Sequence, residues 1–65
     1  MAPSAAELSS LATALEDLTR RITVHADAAS AAKDEDMAKE LFAIERALMG
    51  ASRRLTRLTT SLRRP

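Results

Sequence analysis

Few side chains in this sequence of 65 residues are of the types that carry out chemistry. There is no Cys, and a single histidine, His25, cannot form a metal site alone. The carboxylates lack the alternating spacing of a calcium loop. No Gly-rich phosphate-binding loop is present, and one His offers no Ser-His-Asp arrangement. We therefore predict no catalytic residue, no metal, no cofactor and no small-molecule substrate.

Arginine is the residue type best suited to binding a charged partner. From Arg46 to the C-terminus the chain has no acid, whereas acids outnumber lysines between Asp27 and Glu45. Guanidinium groups make bidentate contacts with phosphate or carboxylate. The candidate contacts for an anion or a nucleic acid are Arg53, Arg54, Arg57, Arg63 and Arg64. Nucleic acid is not favoured, because the net charge is only +1 and the stretch that contains these arginines has no aromatic side chain to stack on bases. The alternatives are a solvated face, an acidic protein and an anionic membrane surface.

The elements that would position these residues are helices, because Ala and Leu dominate and both prolines lie near the chain ends. Two apolar runs advance by alternating steps of three and four residues, which is typical of a coiled-coil seam. The first run is Leu8, Leu11, Leu15, Leu18, Ile22, His25, Ala29 and Ala32. The second is Met37, Leu41, Ile44, Leu48, Ala51, Leu55, Leu58 and Leu62. We predict that these runs face each other, with His25 either a pH-sensitive polar residue of the seam or half-exposed at its edge.

The alternation breaks once, at the step of five between Ala32 and Met37. Either the chain turns there, or one long helix carries a local distortion. The turn is favoured, because Asp34 or Asp36 can cap a second helix, just as Ser4 and Glu7 form a capping box for the first. We predict an N-terminal tail at 1–3, helices at 4–32 and 37–64, and a turn at 33–36. The fold class is all-α, a two-helix antiparallel coiled-coil hairpin.

Apolar residues outside the seam indicate that this hairpin has a partner. A chain this short is marginally stable without disulfides, metal or a second chain. The surplus residues cluster towards the turn: Val24, Ala28, Ala31, Ala38, Phe42, Ala47, Met49 and Gly50. Scattered alanines alone would be unremarkable on a helix surface, but Phe42 and Met49 favour an interface. Gly50 beside Ala47 would permit close helix approach, or it is a tolerated defect. We predict self-association into a homodimeric four-helix bundle.

The predicted function is that of a non-enzymatic protein–protein interaction module, serving as a small regulatory or structural adaptor. A larger helical protein is the alternative partner. The other functions to be weighed are a nucleic-acid accessory protein and a small subunit of a larger assembly. No apolar run approaches the roughly 20 residues that span a bilayer. No basic segment followed by an apolar one opens the chain. A cytoplasmic location is therefore expected.

Overall fold

The computed structural model describes residues 2–64, over which the chain forms two packed α-helices. Helix α1 spans Ala5–Ala31 and helix α2 spans Glu35–Arg63. The two pack against each other as a hairpin, which confirms the predicted all-α class and rules out one continuous helix. The molecule is a rod of 50 × 18 × 14 Å. Its radius of gyration of 14.9 Å exceeds the roughly 11 Å expected of a compact chain of this length.

Both helices begin at a side chain that caps their free amide groups. The Ser4 Oγ accepts a hydrogen bond from the Glu7 N–H at 3.1 Å, and the Ser4 hydroxyl donates to the Glu7 carboxylate at 3.2 Å. In α2, the Asp34 carboxylate accepts from the Met37 N–H at 3.3 Å. Because Asp34 is the cap, α2 begins at Glu35, two residues before the predicted start. Glu35 then lies with Asp36 in the first turn, where negative charge is favourable.

The turn between the helices is made without glycine. Lys33 has a φ of 62°, in the left-handed region that glycine usually occupies at a helix end. The Lys33 N–H donates to the Ser30 carbonyl, and the Asp34 N–H donates to the Ala29 carbonyl, both at 3.0 Å. These two bonds form a Schellman motif, which satisfies the last carbonyls of α1. The left-handed conformation costs a residue with a side chain about 1 kcal/mol.

The interior of the hairpin consists of small side chains. The buried residues are Ala26, Ala29, Ala38 and Thr59, and no large side chain is fully buried in the described part of the chain. The Thr59 hydroxyl donates to the Leu55 carbonyl at 2.9 Å, which satisfies this buried polar group within its own helix. Small residues let the two backbones approach closely, and larger side chains are left at the edges.

Candidate interaction surface

Three rows of α1 decide which side chains meet α2. The edge row, Leu8, Leu15 and Ile22, is half-buried. On one side of it lies the inner row, Ala12, Thr19 and Ala26, which is buried or half-buried. On the other side lies the outer row, Leu11, Leu18 and His25. This row is exposed, with Leu11 at 58% and Leu18 at 45%. The helix therefore turns small residues towards its partner and leucines away from it.

Helix α2 has the same arrangement. Its edge row, Leu41, Leu48 and Leu55, is half-buried. Its inner row is Ala38, Glu45, Ser52 and Thr59, each buried or half-buried. Its outer row is exposed and consists of Met37, Ile44, Ala51 and Leu58. Met37 and Leu58 expose 54% and 51% of their surface. Leu62, which continues the edge row at the end of the helix, is exposed as well.

The predicted seam is therefore corrected at more than half of its sixteen positions. Leu8, Leu15, Ile22, Leu41, Leu48 and Leu55 lie at the border of the interior and Ala29 is buried, but nine others lie exposed: Leu11, Leu18, His25, Ala32, Met37, Ile44, Ala51, Leu58 and Leu62. The cause is that the inner row also follows the edge row with alternating steps of three and four residues. Spacing alone cannot distinguish the two choices, and we predicted the row with the larger side chains. In the structure the inner row faces the partner helix instead, because its Ala, Ser and Thr side chains allow close packing.

The inner rows of the two helices are flanked on one side by a groove, here called the grooved face, whose walls combine charged and hydroxyl groups with exposed apolar surface such as that of Met49. It is lined along its middle by Glu16, Thr19, Arg20, Met49, Ser52 and Arg53. Towards the chain ends, it is lined mainly by hydroxyl and charged side chains, among them Ser9, Thr13, Thr56, Thr60 and Arg63. Near the turn, the Thr23 hydroxyl donates across the helix pair to the Glu45 carboxylate. Polar groups on this face thus bond to one another or face water.

The opposite side of the hairpin is apolar. In an antiparallel pair of helices, rows that flank the same side of the interface lie side by side, so both outer rows lie opposite the grooved face. We call this side the apolar face. It consists of the outer rows of both helices with the half-buried edge rows between them. Its largest exposed side chains are Leu11, Leu18, Met37, Ile44 and Leu58. The one titratable side chain in these rows is His25.

The residues predicted as a partner interface do not come together on one surface. Ala38 is buried inside the hairpin, and Phe42 is half-buried. Met49 lines the grooved face. Val24, with Ala31 two turns along the same side, is exposed on the outside of α1. The two remaining alanines, Ala28 and Ala47, are exposed next to the outer rows of their helices.

Gly50 lies on the outside of α2, where the hairpin places no close neighbour. A Cβ added there would have only the Arg53 Nη2 within 4 Å, at 4.0 Å, among the described residues. Close approach of α1 therefore does not require a glycine at this position. Within the hairpin, Gly50 is a local loss of helix propensity.

The arginines of α2 point to several sides of the rod. Arg46, Arg53, Arg54 and Arg57 surround one shallow concavity beside Gly50. Arg57 and Arg64 border a second concavity nearer the C-terminus, whereas Arg63 lines the grooved face. The one ion pair within residues 2–64 joins Arg20 to Asp17 at 3.4 Å, with both side chains exposed. The arginines of α2 thus have no acidic partner inside the described hairpin.

No group of three His, Asp or Glu side chains in the described ranges converges as a metal site would require. Neither described helix combines the length and the apolar character needed to cross a bilayer. Comparison with known proteins found no matching family model, curated protein or solved structure.

Proposed function

We propose that this chain is a non-enzymatic protein–protein interaction module that self-associates, two hairpins forming a homodimeric four-helix bundle. The observation that carries the proposal is the distribution of side chains: alanine and threonine fill the interior, while five of the eight exposed large apolar side chains, Leu11, Leu18, Met37, Ile44 and Leu58, lie on one face. Soluble monomers rarely leave a large contiguous apolar patch in water.

The surface area of the hairpin supports this proposal. The accessible surface is 5108 Å², whereas a compact protein of 7.0 kDa exposes roughly 4,000 Å². The excess of about 1,000 Å² is close to the roughly 800 Å² that each partner loses in a standard protein interface. A second hairpin would therefore bring the exposed surface of each chain near the value expected of a compact protein.

The gain from covering the apolar face is comparable with the cost of association. Burying the exposed half of a leucine contributes about 1 kcal/mol. Several such side chains on each of two chains supply a driving force of the same order as the entropy lost on association. No large side chain within residues 2–64 is fully buried, so folding and association are expected to be coupled.

Sedimentation equilibrium and circular dichroism over a wide range of protein concentration test this proposal. We expect twice the chain mass at high concentration, and helicity and mass that fall together on dilution. A stably helical monomer at micromolar concentration would contradict self-association. A chain that stays monomeric and unfolded at every concentration would favour the alternative of a small subunit that folds only in a larger assembly.

Binding of nucleic acid is the second candidate, and the arginines around Gly50 favour it. Arg46, Arg53, Arg54 and Arg57 share one concavity and have no acidic partner in the described hairpin. Their contacts with phosphates would release counterions, so binding should weaken steeply with salt. Fluorescence anisotropy with duplex DNA and with single-stranded RNA measures this, with the change Arg53→Gln plus Arg57→Gln against the control Arg20→Gln. An absence of binding at low salt would exclude this candidate.

A further inference from the structure

We infer that the apolar face receives a second copy of this chain in antiparallel orientation, so that the turn of one hairpin lies beside the open end of the other. The inference rests on the proposed self-association and adds the contact surface and the orientation of the two rods. It assigns the interface to the outer rows of α1 and α2, away from the cluster expected from the sequence near the turn.

The choice of face follows from which side chains would lose contact with water when a second chain covers each side. Covering the grooved face would remove water from charged side chains such as Glu16, Arg20 and Arg53, which line it. Covering the apolar face removes water from Leu11, Leu18, Ile44 and the other exposed members of the outer rows. Both faces have the length of the rod, but the outer and edge rows of the second contain no Asp, Glu, Lys or Arg, so contact there exchanges apolar surface without removing water from these charged groups.

The orientation follows from the distribution of charge along α2. Its first part, 35–45, has four acids and one lysine, and its second part, 46–64, has six arginines and no acid. If two hairpins stack face to face with their turns at opposite ends, α2 lies against α2 of the partner in antiparallel orientation. The acidic part of each then lies at the same level of the rod as the Arg-rich part of the other, and the attraction between these segments favours this pairing and its rate of formation. It acts between the ends of the two rods, since Glu45, Arg53 and Arg63 lie on the grooved face and make no contact in the interface. Stacking with both turns at one end would bring the acidic ends together.

The same charge pattern identifies the partner as a second copy. In a dimer with a two-fold axis across the middle of the rod, the apolar face of one hairpin packs against the same face of the other. The acidic segment of each chain then lies near the Arg-rich segment of its partner, so every favourable contact occurs twice. Leu18 lies at the midpoint of α1 and on the apolar face, so it would lie beside Leu18 of the partner. Leu11 and His25, seven residues on either side of Leu18, would lie near each other across the interface.

Cysteine cross-linking tests the arrangement without interference, because the chain has no cysteine of its own. With a short bifunctional maleimide, we expect Leu18→Cys to convert most of the chain to a covalent dimer. Leu58→Cys should give no dimer, because two such residues would lie roughly 30 Å apart on opposite sides of the axis. Met49→Cys is the matched control, since it lies in the middle of α2 but on the grooved face. It should also give no dimer.

Circular dichroism would show whether Leu18→Cys perturbs the fold. In that case, mixtures of two other single-cysteine variants test the same arrangement. An equimolar mixture of Leu11→Cys and His25→Cys should cross-link as a mixed pair. A mixed pair of Leu11→Cys with Leu58→Cys would instead show that both turns lie at the same end. That result overturns the orientation, and self-cross-linking of Met49→Cys overturns the choice of face. A dimeric mass without either expected cross-link overturns the inference but not the self-association, whereas a monomeric mass overturns both.

Discussion

The two sides of this hairpin differ in whether their side chains find interaction partners within the chain. On the grooved face, the Thr19 hydroxyl donates to the Leu15 carbonyl of its own helix, and the Thr23 hydroxyl donates across to the Glu45 carboxylate. On the apolar face, leucine, isoleucine and methionine side chains lie exposed with no covering segment in the described hairpin. Because hydrogen bonds can be satisfied locally and apolar surface cannot, the apolar face is the side that would gain most from the proposed second chain.

The small residues between the helices produce this difference. With Ala26 and Ala38 buried in the interior, the backbones are close and the leucines of the edge rows are only half-covered. A hairpin that turned its leucines inwards would have a larger core and little reason to associate. In the arrangement found here, the apolar surface of these leucines lies outside the hairpin, where a second chain could cover it.

The largest expected effect comes from placing charge on the apolar face. We expect Leu18→Glu with Ile44→Glu to raise the dissociation constant of the dimer at least about 100-fold, because a carboxylate in an apolar interface carries a desolvation cost of several kcal/mol. Sedimentation equilibrium measures the constant, and circular dichroism reports any accompanying loss of helix.

The matched control for this variant is Thr13→Glu with Thr56→Glu, which adds the same charges to the grooved face. We expect the control to keep its dimeric mass. The reverse result, with the control monomeric and the first variant dimeric, would show that the grooved face is the interface.

A smaller effect is expected from the contact that crosses the grooved face. In a double-mutant cycle with Thr23→Val and Glu45→Ala, we expect a coupling free energy of about 1 kcal/mol, because the Thr23 hydroxyl donates to the Glu45 carboxylate. Urea unfolding of the four proteins at one fixed concentration measures it. Additive effects of the two changes would show that this hydrogen bond does not help to hold the face together.

The turn offers a change that affects neither face. Lys33→Gly should raise the free energy of unfolding by about 1 kcal/mol, because glycine adopts the left-handed φ of 62° without steric cost. Thermal unfolding at fixed concentration measures the gain. Lys33→Ala is the control, since it removes the charged side chain and keeps the unfavourable backbone conformation. If both variants gain equally, the relief comes from the loss of the lysine side chain and not from the backbone.

Gly50→Ala should add a stabilisation of somewhat less than about 1 kcal/mol, the difference in helix propensity between the two residues. The added Cβ has room, since its nearest neighbour outside the local backbone is the Arg53 Nη2 at 4.0 Å. Unfolding and sedimentation together check this expectation. A loss of dimer in this variant would mean that a helix of the partner packs against the outside of α2, as predicted from the small residues around Gly50.

Much of the fold was predictable from local patterns. The step of five between Ala32 and Met37 marked the reversal, and the capping residues Ser4 and Asp34 lie at the helix starts. The turn itself carried a weaker signal, because Lys33 takes a conformation that glycine usually marks. The candidate surface was predicted less well. The size of Phe42 and Met49 favours them for an interface, whereas the heptad spacing of Leu11 and Leu18 predicts that they lie in the seam.

The sequence by itself determined two helices, their caps and the site of reversal, because these depend on contacts between residues close together in the chain. It also determined that each helix has more apolar rows than one partner helix can cover. Only the tertiary structure decided which of two equally spaced rows turns inwards. That choice depends on how closely two backbones can approach when Ala, Ser and Thr lie between them, and helical periodicity contains no information about this distance. Its outcome moved Leu11, Leu18, Ile44 and Leu58 from the expected interior to the surface.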